Sequence, residues 1–268
     1  MNRKNSFKTR VFRFINDNYH SVLVIIGFFL VWELSVHIFS IPKITLPAVS
    51  ESLAALFFPK PHQTYHWAIN LKTTLAEFVL AFIITSALGI VIAIIVVWSR
   101  HAKNILLPAF IFINSLPVIA IAPLILLWKG YGITTNMLIA FLCSFFPVVI
   151  NTMTGLDAVE DDILDLARYL NASKFQLFVK IRIPNSLPYI FSGLKICATM
   201  SIIGAIVAEY IGSNRGLGFV IINAQYTMDT PPIFAAVILV SLLGAGLYGL
   251  VTLLERLLMP WAYTKERV

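Results

Sequence analysis

The sequence predicts an all-α, polytopic membrane protein with about six transmembrane helices and an amphipathic segment between the fourth and fifth. Three observations carry this. Of 268 residues, 59% are hydrophobic and only 12% charged, against about 25% charged in a soluble domain. Mean hydropathy is +0.85. Apolar runs long enough to cross a bilayer, which takes about 20 residues, recur along the chain with polar connections between them.

The runs are 20–41, 76–98, 105–128, 134–155, 190–212 and 233–258. The first follows a basic leader, as a signal peptide would, but it is long and no A-x-A-like cleavage site follows it, so it reads as an uncleaved anchor. Cytoplasmic connections carry the excess of Lys and Arg. Fourteen lie on one side: Arg3, Lys4, Lys8, Arg10 and Arg13, then Arg100 and Lys103, then Arg168, Lys174, Lys180 and Arg182, then Arg256, Lys265 and Arg267. Five lie on the other (Lys43, Lys60, Lys72, Lys129, Arg215), and Lys195 falls inside a run. Both termini are therefore expected in the cytoplasm, with segments 1–19 and 262–268 flanking a membrane domain over 20–261.

The same distribution explains the net charge of +7. A nucleic-acid partner would call for a dense basic stripe, whereas these residues are dispersed over four connections. Cys143 and Cys197 both fall in apolar runs without C-x-x-C spacing, which suits packing better than a metal or disulfide role. No G-x-S-x-G, H-E-x-x-H or G-x-x-x-x-G-K-[ST] pattern occurs. The chain is expected to be no enzyme and to hold no cofactor of its own.

Small residues spaced four apart (Ala81, Thr85, Gly89 and Ala93; Gly204, Ala208 and Gly212; Ala245 and Gly249) mark faces where helices approach closely. Asn114, Ser115 and Pro117 interrupt the third run, as a pathway lining or as a kink. Glu209, near the outer end of the fifth run, needs a partner or water. It either lines a pathway or braces the "SNRGLG" turn, through Arg215. Glu33 and Glu77 read as structural or interfacial.

The connection from 157 to 188 is too long for a tight turn and has helical periodicity, with Leu166, Tyr169, Leu170, Ser173, Leu177 and Ile181 at three- and four-residue spacing. Asn171 breaks the pattern, and Asn tolerates the left-handed region. Two short helices with a bend between them are expected. The bland reading is an amphipathic helix on the membrane surface.

The stretch Asp165-Leu166-Ala167, Asn171 and Ile181-Arg182-Ile183-Pro184 resembles, at matching spacing, the EAA loop of ATP-binding-cassette importer permeases, in which E-A-A is followed by G and then I-x-L-P. Asp replaces the family's Glu, Leu166 an alanine and Asn171 the glycine. "NSLPVIAIAPLILLWKGYG", "AEYIGSNRGLGFVI" and "LLERLLMPW" are similar to the subgroup that imports nitrate, bicarbonate, taurine, alkanesulfonates and thiamine-pyrimidine precursors.

The resemblance implies a multi-pass permease of the bacterial inner membrane. It implies pairing with a second copy, two ATPase subunits that carry ATP and Mg, and an extracytoplasmic binding protein that delivers solute. Asp165, Ala167, Asn171, Ala172, Ser173, Lys174, Phe175 and Pro184 would belong to the ATPase-coupling segment. There Ala172 and Ser173 would permit close approach, Phe175, Leu177 and Phe178 would fill apolar recesses, and Arg168 and Lys174 would make rim contacts. Asn114, Ser115, Pro117 and Glu209 are the candidate pathway residues. The substrate resemblance is greatest to thiamine-pyrimidine-precursor permeases. The competing classes are an ion-coupled secondary transporter, which should show coupling residues and an inverted repeat, and a membrane scaffold.

Overall fold

The computed structural model describes residues 19–58 and 65–260. The basic leader, Lys60 and the 262–268 tail lie outside the described residues. All regular structure among the described residues is helical: α1 (Tyr19–Ile38), α2 (Val49–Phe57), α3 (Trp67–Trp98), α4 (Arg100–Asn114), α5 (Val118–Lys129), α6 (Ile133–Asp157), α7 (Asp161–Tyr169), α8 (Lys174–Leu177), a π-helical turn (Phe178–Arg182), α9 (Ile183–Gly212), α10 (Leu217–Tyr226) and α11 (Thr230–Leu258).

Among the described residues four helices are long and apolar enough to cross a membrane: α3, α6, the continuous Lys174–Gly212 and α11. The third apolar run is a correction to the expected single span. His101–Asn114 and Val118–Lys129 are bent by 89°, and only if the pair is counted as one broken span are there five. Pro117 has no N–H to donate and pushes the residue before it out of the helical region, so the helix stops there. The 15-residue α4 and 12-residue α5 measure about 22 and 18 Å at 1.5 Å per residue, short of the ~30 Å hydrocarbon core. The first run forms the 20-residue α1, with Leu23–Ile38 as its apolar portion.

Helix α3 begins nine residues earlier than the apolar run that announced it. Asn70, Lys72, Thr73 and Thr74 dilute the hydropathy of its first turns, yet Asn70 and Thr74 are buried. The segment is helical because its polar groups find partners inside the protein, which a hydropathy window cannot register.

The chain forms two compact units. In the smaller one (residues 1–64 and 223–235), the Trp32 indole N–H donates to the Pro47 carbonyl at 3.1 Å and its ring lies 5.5 Å from Phe234. Glu33 accepts from the Ser50 hydroxyl at 2.6 Å and from its N–H at 3.1 Å, which ties α1 to the start of α2.

The larger unit (65–222 and 236–268) is built on α3, α6 and α9, with α6 against α9 the most extensive packing. Phe78 and Ala81 of α3 meet Ala140 of α6 and Ile202 and Ala205 of α9. Ala122, Ile125 and Leu126 bring α5 onto Ile139 and Ala208. The small-residue faces do what their spacing predicts on α3 and α9: Ala81, Thr85, Gly89, Ala93, Gly204 and Ala208 are all buried. A Cβ on Gly204 would sit 2.6 Å from the Ala140 Cα. Gly204→Leu should therefore force α6 and α9 apart and lower stability by about 1–3 kcal/mol, measured as thermal unfolding of the purified protein. An unchanged transition would contradict this packing. On α11 the stripe meets no helix among the described residues: Ala245 is exposed and a Cβ on Gly249 would meet nothing within 4 Å.

Candidate functional site

The connection between α6 and α9 is a mounted, capped structure. Asp161 and Asp162 occupy the first turn of α7 and Arg168 its last, each favourable to the helix dipole. The helix ends at Asn171, whose φ is +53°. The Ala172 N–H donates to the Ala167 carbonyl at 2.9 Å and the Asn171 N–H to the Arg168 carbonyl at 3.0 Å, the pair of bonds that closes a Schellman terminus. The expected bend is there, on the expected residue. Asn171→Gly should be tolerated, whereas Asn171→Val should cost about 1–2 kcal/mol for a branched side chain at positive φ. Thermal unfolding of the two variants checks this, and equal stabilities would contradict it.

Ser173 opens the next helix with a capping box: its Oγ accepts from the Gln176 N–H at 3.2 Å and the Gln176 Oε1 accepts from the Ser173 N–H at 2.9 Å. The expected separate short helix is corrected here. α8 runs through the π-helical turn into α9, giving one helix from Lys174 to Gly212. The cause is Pro184, which cannot donate to the carbonyl four residues back. The ladder widens ahead of it, with the Ile183 N–H on the Phe178 carbonyl.

Asp157, at the end of α6, fastens this assembly: it accepts from Lys103 Nζ at 2.5 Å and from Arg182 Nη1 at 3.3 Å. Phe178 is buried, edge-on to Trp98 with ring centroids 5.1 Å apart. It was expected to reach a partner, but its packing inside the chain takes it out of that set. The outward residues are Leu166, Tyr169, Leu170 and Phe175, exposed by 59, 84, 68 and 66%. Ala167 is buried and Ala172 half-buried, while Asp165, Asn171, Ser173, Lys174 and Pro184 are exposed, with Asp165 paired to Arg168 at 2.6 Å. Beneath lies a cleft of about 720 Å³ lined by Trp98, Lys103, Asp157, Arg168, Lys174 and Arg182 among others.

The pathway candidates are not brought together by hydrogen bonds. Asn114, Ser115 and Pro117 lie exposed at the 89° bend. Glu209 is fully buried: Thr74 Oγ1 donates to its Oε1 at 2.6 Å, and the Gly218 N–H to its Oε2 at 2.7 Å. Its contacts brace the SNRGLG turn, through Gly218 and not through Arg215, which is exposed. Gly216 has φ +106°, and a Cβ there would fall 2.1 Å from the Glu209 carboxyl carbon, so the turn has no room for a side chain. The Gly216 N–H donates to Asn70 Oδ1 and the Leu217 N–H to Thr74 Oγ1, each at 2.8 Å.

Sequence reasoning named no partner for several of these groups. Glu77, assigned to structure or interface, is fully buried and accepts from Asn136 Nδ2 at 2.9 Å. Lys195, left unassigned, pairs with Glu255 at 2.5 Å, the two side chains being 20% and 9% exposed. An ionisable group inside an apolar run needs such a partner, which was the available signal.

Residues 85–259 match the family model described as the binding-protein-dependent transport system inner membrane component. The chain belongs to this family of ABC transporter permeases. Among its relatives, the formylaminopyrimidine transport permease protein ThiX of Halalkalibacterium halodurans is 33% identical over 72% of this permease and 77% of its own length. The riboflavin transport system permease protein RibX of Chloroflexus aurantiacus is 36% identical over 60% of each chain. The putative aliphatic sulfonates transport permease protein SsuC of Bacillus subtilis is 31% identical over 74% of this permease and 71% of its own length. The permease is thus a transport component of the membrane, multi-pass and all-α.

Proposed function

We propose that this permease forms, with a second copy of itself, the translocation pathway of an ATP-driven importer for a small polar solute. Two separate ATPase subunits bind ATP and Mg and dock on the EAA loop, and an extracytoplasmic binding protein delivers the solute. The observation that carries the reading is the exposed apolar surface of Leu166, Tyr169, Leu170 and Phe175 on a segment continuous with a 39-residue helix. Motion of a docked subunit reaches the bundle through that helix. Secondary transport and a scaffold role are less suited to a capped, outward-facing element of this kind.

For the solute we favour a thiamine-pyrimidine precursor, on the similarity of the C-terminal stretch 216–261 to such permeases and of 72% of the chain to ThiX. Sulfonate and riboflavin relatives name the competing solutes, with nitrate, bicarbonate and taurine behind them. Reconstitution of the permease with the ATPase and binding protein encoded beside it, followed by ATP-dependent uptake of labelled formylaminopyrimidine against an alkanesulfonate, tests both levels. Uptake of the pyrimidine alone is expected. Uptake of the sulfonate alone overturns the solute, and transport by the chain without an ATPase overturns the importer.

The charge asymmetry supports a cytoplasmic position for both termini. In a background lacking Cys143 and Cys197, a cysteine at Arg215 should react with an impermeant thiol reagent from outside and one at Lys174 should not. The opposite pattern would reverse the topology.

A further inference from the structure

Glu77 of α3 and Glu209 of α9 are both 0% exposed and face each other, since Thr74, one turn before Glu77 on α3, donates to the Glu209 carboxylate. Two carboxylates facing each other, away from water, do not both ionise unless a positive species joins them. Among the described residues no Lys, Arg or His pairs with either. The groups that face them are Thr74 from α3, Asn136 from α6 and the N–H of Gly218 from the turn.

The hydrogen bonds divide the two unequally. Glu209 accepts on both oxygens, from the Thr74 hydroxyl and from the Gly218 N–H, and it lies at the N-terminus of α10, where an anion is favoured. Glu77 accepts on Oε1 alone. Its Oε2 is buried and meets no protein donor, and the same holds for Asn136 Oδ1.

We propose that Glu77 and Glu209 form a site for one resident proton, carried on Glu77 Oε2 and donated to the Glu209 carboxylate. A proton supplies the donor that the geometry lacks. Calcium takes six to eight oxygen ligands and magnesium an octahedron, whereas the oxygens left here are Glu77 Oε2 and Asn136 Oδ1. The proton joins α3 to α9 and, through Glu209, to the SNRGLG turn. This link stands beside the ones that Thr74 and Asn70 of α3 already make to Glu209 and the turn.

The test is infrared spectroscopy of the full-length permease with its ATPase in lipid nanodiscs at neutral pH. A protonated-carboxyl C=O band that shifts in D2O, withstands sodium and disappears in Glu77→Gln is expected. Glu77→Gln keeps a donor toward Glu209 and an acceptor for Asn136, so its membrane level and uptake should stay within about twofold of the parent. Glu209→Gln sets an amide N–H against the donors Thr74 and Gly218, and its membrane level should fall about tenfold. A band lost in Glu209→Gln but kept in Glu77→Gln overturns the assignment. If no variant accumulates, the parent protein still decides: a spectrum without the band, or a band that sodium abolishes, overturns the proposal.

Discussion

Lys195→Met is expected to destabilise the permease by about 3–5 kcal/mol, the usual cost of removing one partner from a buried ion pair. The Glu255 carboxylate, 9% exposed, then loses the ammonium 2.5 Å away. Inside an apolar helix a carboxylate depends on its partners. Replacing both, as Lys195→Met with Glu255→Leu, should recover most of the loss, because the desolvation penalty goes with the charges. Thermal unfolding of the purified protein and its level in membranes measure both variants. A single variant as stable as the parent, or a double variant worse than the single, would contradict a pairing role between α9 and α11.

Phe175→Asp should have the opposite signature, normal stability with lost coupling. Phe175 is 66% exposed, so its replacement disturbs nothing inside the chain. Loss of one interface anchor costs 2 kcal/mol or more, about a 30-fold drop in affinity. ATPase co-purification and uptake should both fall while membrane levels hold. Phe178→Asp is the control, since that ring is packed on Trp98 and a charge there should reduce the level of the protein itself. If Phe175→Asp keeps full ATPase binding and full uptake while Lys174 and Lys180 prove essential, the segment rests on lipid instead.

The parts of this molecule that sequence made legible are those set by local chemistry. Apolar runs mark the long helices because a bilayer demands them, and Asn171 marks the bend because few residues adopt positive φ. Pro117 marked an interruption, but the 89° angle depends on how α4 and α5 pack against α6, which no local pattern encodes. Asp157 gave no signal, since its two cations are 54 and 25 residues away. Glu77 and Glu209 looked like unrelated acids for the same reason. The direction of Phe175 and Phe178 was equally hidden: both suit an amphipathic helix, and only Trp98 distinguishes them.

The π-helical turn at Phe178–Arg182 also fixes a phase. Five residues there share a wider ring, so the side chains of α8 are rotated about the helix axis relative to those of an uninterrupted α-helix. One residue in an α-helix corresponds to about 100° of rotation. Deleting Val179, which is 41% exposed, would shift everything N-terminal to it by one residue and turn Phe175 through roughly that angle about the helix axis. The length and composition of the element would hardly change. What the turn stores is therefore an angular setting, and a one-residue shift in it is enough to aim the contact surface away from any partner.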